Sequence, residues 1–69
     1  MKTCTAIISI LDLTAEAIPT LSKVLKAVPG VESVDFNLGR KVAAVEFDPQ
    51  KSNVDNLLRA VLKAGYKVG

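Results

Sequence analysis

The chain has 69 residues, 49% apolar and 23% charged, with nine basic and seven acidic residues and a net charge of +2. That length sets a single domain, residues 1–69, able to bury only about 60–65% of its unfolded surface, and so rich an apolar fraction excludes a disordered chain. One cysteine and no histidine exclude an internal disulfide, and basic residues that are interspersed rather than clustered, with one Tyr and two Phe, exclude a nucleic-acid binder.

The most apolar stretch, Ala6 to Leu13, contains Ser9 and Asp12 and falls short of the roughly 20 residues a membrane-spanning helix needs. It also follows Lys2 too abruptly to read as a cleaved signal with a small-residue cleavage site. Nothing points to an oxidising compartment. The expectation is a cytoplasmic protein without membrane association.

In chain order, Lys2 to Leu11 is rich in Thr and Ile and predicts a strand. Ile7 and Ile8 are adjacent and cannot both face the same side. Asp12 to Ile18 predicts a loop with two helix-cap candidates, Asp12 and Thr14. The first helical turn is expected close to Pro19, since proline removes a backbone donor and disfavours helix at the residue before it. Leu21, Val24, Leu25 and Val28 then recur at spacings of three and four, one face of an amphipathic helix that Pro29-Gly30 ends.

Val34, Phe36 and Leu38 alternate with Ser33, Asp35 and Asn37. After a tight turn at Leu38-Gly39-Arg40-Lys41, Ala43, Val45 and Phe47 alternate with Val42, Ala44 and Glu46, so the two runs predict a β-hairpin. Asp48-Pro49 stops it. Asn53 is placed to cap a second helix with Asp55 in its first turn, Val54, Leu57, Leu58 and Val61 facing inward, Lys63 in the last turn and Gly65 at its end. Tyr66-Lys67-Val68 predicts a short final strand. The order strand, helix, strand, strand, helix, strand predicts an α+β, ferredoxin-like βαββαβ sandwich, with two helices on one face of a four-stranded antiparallel sheet. The other sheet face is left open.

The run Val28-Pro29-Gly30-Val31-Glu32-Ser33-Val34, then Val45-Glu46-Phe47-Asp48-Pro49, then Leu57-Leu58-Arg59-Ala60-Val61 leading into Ala64-Gly65-Tyr66-Lys67-Val68, resembles the heavy-metal-associated domain. That family includes copper chaperones, mercury-binding proteins and the amino-terminal modules of metal-pumping ATPases. The resemblance covers roughly residues 20 to 69 without a gap and implies the same fold. It also implies a Met-x-Cys-x-x-Cys loop at the start of the first helix, whose thiolates hold a soft ion. Here that loop reads Leu13-Thr14-Ala15-Glu16-Ala17, and Thr14 and Ala17 stand at the cysteine positions. No cysteine or histidine falls between Leu13 and Ile18 in any register.

Other residues are weighed singly. Cys4 reads as a small, partly buried hydrophobe in the first strand; a metal or disulfide bridge between two copies of Cys4 is the sharper alternative. Tyr66 reads as an aromatic packed against the Leu13 loop, and Glu16 as an exposed acid at the helix start. Lys23, Lys26, Arg59 and Lys63 form a mildly basic helical face. No nucleophile stands beside a base and no phosphate-binding glycine loop occurs, so no catalytic residue and no cofactor are expected. The open sheet face gathers Ile7, Val42 and Ala44, and Leu62 adds an exposed apolar residue on the second helix; these four are the interface candidates.

The leading expectation is therefore a module of this family that has lost its metal site and serves protein interaction or regulation, by docking a partner or self-associating through the open face. An atypical metal site through Cys4 or a partner's ligands is the alternative. A small-molecule-sensing regulatory domain of the same topology is a third, suggested by Ile18-Pro19-Thr20-Leu21.

Overall fold

Period-two alternation and three-four spacing place five elements in the computed structural model, which describes residues 2–69: β1 (Cys4–Ser9), α1 (Ala17–Lys26), β2 (Val31–Asn37), β3 (Val42–Phe47) and α2 (Val54–Lys63). The strands form one antiparallel sheet in the order β1-β3-β2. Ile7 of β1 pairs with Ala44 of β3, and Ala44 with Asp35 of β2, so the first and third strands adjoin as expected. Both helices lie against the sheet face that carries Ala6, Ile8, Ala43, Val45 and Phe47. Leu21, Leu25, Leu57 and Val61 reach that face from the helices and are fully buried. Each contributes on the order of 2 kcal/mol by leaving water.

The fourth strand is a correction. The carboxy-terminal segment makes a single bridge, Ile10 with Val68, on the outer side of β1. Leu11 N–H donates to Lys67 C=O at 2.9 Å, but Lys67 N–H turns to the Asp12 carboxylate at 3.0 Å. A ladder needs that donor back on the Leu11 carbonyl. Asp12 diverts it, and among the described residues the sheet has three strands. The α+β arrangement with two helices on one face is otherwise the ferredoxin-like one predicted.

Helix α1 starts at Ala17, two residues before the predicted Pro19. Pro19 is its third residue, where the N–H would have no intrahelical partner, so the ring costs no hydrogen bond. Thr14 closes the start: its carbonyl and its Oγ1 both accept the Ala17 N–H, at 3.0 and 3.3 Å. Asn53 caps α2 as expected, its Oδ1 accepting Asn56 N–H at 2.8 Å. Val54 was expected inward and is instead 46% exposed, because it opens α2 beyond the buried stripe set by Leu57 and Val61.

Two backbone features fix the junctions. Gly30, at φ +91, sits so close to the loop after β3 that a Cβ would lie 2.7 Å from the Lys51 Cβ. In β2, Val31 and Ser33 face the consecutive residues Phe47 and Glu46, leaving Glu32 as the extra residue of a bulge.

Candidate functional site

The loop into α1 is built inward at both ends. Leu13 and Ala17 are buried in the core cluster, while Thr14, Ala15 and Glu16 are exposed. Ala17, at the second cysteine position of the resemblance, is the first helical residue and its methyl packs inside. Thr14, at the first, spends its hydroxyl on the helix start. Glu16 is exposed and makes no side-chain cap bond. The donor set is one engaged hydroxyl, one methyl and one solvated carboxylate. Such hard oxygens do not suit Cu(I) or Hg(II), and the residues present do not fit a soft metal ion. Among the described residues no group of three His, Cys, Asp or Glu side chains is gathered as a metal-binding set. Tyr66 is half-buried against the cluster that contains Leu13.

Cys4 is exposed, which corrects the expectation of partial burial. It shares the core-facing side of β1 with Ala6 and Ile8, but it is the first residue of the strand, opposite Phe47 at the sheet's end. It lies at the far end of β1 from the Leu13 loop, about 20–30 Å of extended chain away. The structure does not bring the thiol to the loop.

The open sheet face is a grid of three rows set by the register: Thr5, Glu46 and Ser33; Ile7, Ala44 and Asp35; Ser9, Val42 and Asn37. Ile7 is 64% exposed, and Ala44 and Val42 are half-buried beside it. Both charged residues of the grid, Asp35 and Glu46, are acidic and exposed. Leu62, 53% exposed, stands on α2 and therefore on the helical layer, so it does not join the other three. Leu11, 56% exposed, was missed: it continues the side of β1 that carries Ile7 and Ser9, and its side chain lies against Gly69. Continuing the β1 alternation past Ile10 would have found it.

The basic residues Lys23, Lys26, Arg59 and Lys63 are all exposed on the helices. Arg59 pairs with Asp55 at 2.9 Å, one turn back. So exposed a pair contributes about 0.3–0.5 kcal/mol. The helices thus carry these four bases against one acid, Asp55, whereas the charges of the open-face grid, Asp35 and Glu46, are both acidic.

The family model described as the heavy-metal-associated domain matches residues 20–67. The mercuric transport protein periplasmic component of Shigella flexneri is 37% identical over 65 residues, covering 93% of this chain and 71% of that protein. Oxidized MerP from Ralstonia metallidurans CH34 superposes with a TM-score of 0.87 at 35% identity, over 99% of this chain and 96% of that one. The N-terminal domain of a potential copper-translocating P-type ATPase from Bacillus subtilis, solved in its Cu(I)-loaded state, gives 0.87 at 31% identity, over 97% and 85%.

The cytoplasmic expectation is corrected by the curated relatives, which are named periplasmic components. A chain with one cysteine has no internal disulfide in any compartment, so the cysteine count carried no information on location.

Proposed function

Since the chain belongs to the heavy-metal-associated domain family, we propose that it serves a heavy-metal transport system as a protein-binding module rather than as the carrier of the ion. In this reading it works in the periplasm, the compartment in its relatives' names. The observation that carries the reading is the loop at the start of α1. Its two cysteine positions hold a hydroxyl engaged in capping the helix and a methyl buried in the core. What remains for recognition is the scaffold's surface. The open sheet face supports docking, with Ile7 standing beside Ala44 as an apolar knob and Asp35 and Glu46 selecting a basic partner surface. No residue is assigned a catalytic role.

The test is a titration of the reduced protein with Cu(I) and with Hg(II) against a competing chelator, on wild type and Cys4→Ser. The Cys4→Ser protein is expected to take up neither ion tightly. Tight one-to-one binding that survives the substitution would overturn the reading. Binding that needs two chains and disappears with Cys4→Ser would replace it by the bridged site, which the exposure of Cys4 permits. A thermal-shift screen of amino acids covers the sensing alternative: a true ligand at a hundred times its Kd raises stability by about 2.7 kcal/mol, and none is expected to.

A further inference from the structure

The open sheet face carries opposite charge at its two ends. The bridge between Ile10 and Val68 sets Lys67 opposite Leu11. Val68 packs against the core, so the exposed Lys67 lies on the open side with Leu11. The β2–β3 turn reaches the same end, where Lys41 C=O accepts Ile10 N–H at 2.8 Å, and it carries Arg40 and Lys41, both exposed. Asp12, also at this end, offsets one of these three positive charges. Farther along the strands the face is acidic, with Asp35 in the row of Ile7 and Glu46 in the row of Thr5. Three steps of about 6.7 Å put Glu46 about 20 Å from the level of Leu11. Between these ends lie the apolar Ile7, Ala44 and Val42.

Such a surface complements itself when turned end for end. Two copies can stack their open faces about a two-fold axis in two ways. An axis along the strands lays each row on the same row of the second copy, so Glu46 meets Glu46 and basic turn meets basic turn. An axis across the strands, midway between the rows of Ile7 and Ser9, reverses them. The level of Leu11 then lies over the second copy's Thr5 row, and the Ile7 row over its Ser9 row. Glu46 comes beneath the second copy's Arg40–Lys41 turn, Asp35 within one row of that turn, and Ala44 against Val42. The two Glu46 carboxylates end about 20 Å apart, beyond the screening length of about 8 Å at physiological salt. Charge selects the reversed arrangement.

We propose that the open face is the contact of a two-fold dimer of this chain, its two sheets stacked about 10 Å apart with strands reversed. Four contacts of opposite charge, two from each copy, surround an apolar centre. The face measures about 14 Å by 20 Å, about a third of the 800 Å² or so per partner that a standard interface takes. The dimer is therefore transient, with a Kd on the order of 0.1–1 mM. This rests on the protein-binding reading of the same face and names its partner. The two fail separately: tight metal uptake by Cys4→Ser overturns that reading, whereas a chain that stays monomeric overturns only the dimer.

The full chain is followed by sedimentation velocity and by residue-resolved amide shifts from about 10 μM to about 2 mM. A dimer is expected, with concentration-dependent shifts at Ile7, Ala44 and Val42 and none at Lys23 or Lys63. Glu46→Arg is expected to weaken it about tenfold, because each reversal acts twice in a two-fold contact. Arg40→Glu is expected to do the same, and the two together to restore it. Ile7→Asp is expected to abolish it, with Ile7→Ser in its place should the first lose its folded circular-dichroism spectrum. A nitroxide on Cys4, exposed at the end of β1, is mixed with an isotope-labelled Cys4→Ser copy and is expected to broaden Leu11 and Lys67 more than Thr5. Four outcomes overturn the proposal: a monomer at every concentration, no rescue in the double reversal, broadening strongest at Thr5, or broadening on the helices with growth past a dimer. The last assigns the face to a second copy's helical layer, a contact that does not close.

Discussion

The carboxylate of Asp12 accepts the backbone N–H of Lys67 at 3.0 Å, joining residues 55 positions apart. One side chain thus ties the loop before α1 to the segment after α2, in place of the backbone bond that would pair Lys67 with Leu11. Asp12→Ala is expected to cost about 1 kcal/mol, the usual worth of one such bond, and to raise amide exchange at Lys67 and Gly69 more than in the core. Chemical denaturation and residue-resolved exchange check the two parts. Unchanged exchange at Lys67 would mean that the bond does not hold the segment.

The scaffold around the loop retains the family's backbone, and thiols returned to it should find their geometry. Thr14→Cys with Ala17→Cys is expected to confer tight one-to-one Cu(I) or Hg(II) binding that wild type lacks, measured by chelator competition. Folding stability should fall modestly, because Thr14 gives up its bond to Ala17 N–H. A double variant that folds and still binds neither ion would show that more than the two side chains has been rebuilt.

Gly30 combines a left-handed backbone with a gap too small for a methyl. Gly30→Ala is expected to cost about 2 kcal/mol or more, since the strained φ alone is worth about 1–3 kcal/mol. The Lys51 Cβ, 2.7 Å from the added atom, must also shift. A lowered denaturation midpoint at unchanged slope would confirm it. Gly65, at φ +94 with open space around it, supplies the control: Ala there meets the backbone strain without the clash and should cost less.

The Ser52 hydroxyl is buried without a hydrogen-bond partner among the described residues. Ser52→Ala removes an unsatisfied polar atom and little volume, so thermal unfolding should stay level or rise, by up to about 1 kcal/mol of stability. A loss of stability would indicate that the hydroxyl is satisfied in solution.

Much of this architecture was legible because it rests on short-range patterns. The three-four spacing of Leu21 and Leu25, and of Leu57 and Val61, and the alternation through Ala43, Val45 and Phe47 each place a side chain without knowledge of distant residues. The Asn53 cap is local in the same way. What was illegible depends on partners far along the chain. Nothing near Lys67 announces that Asp12 will take its N–H, so a strand is expected where the described residues form a single antiparallel bridge. Pro19 argued for a late helix start only because its position relative to the first turn was unknown. At the site, the missing thiols could be read directly, whereas the burial of Ala17 and the exposure of Cys4 depend on where the helical layer begins and ends.

The extra residue at Glu32 has a consequence for how this fold tolerates change. Val31 sits at an odd position and Val34 and Phe36 at even ones, yet all three pack against the same core. The bulge resets the strand's phase between them. The connection from α1 can therefore be out of step with the sheet by one residue without turning the hairpin inside out. Length variation at that junction is absorbed locally, and the rows of the open face keep their order.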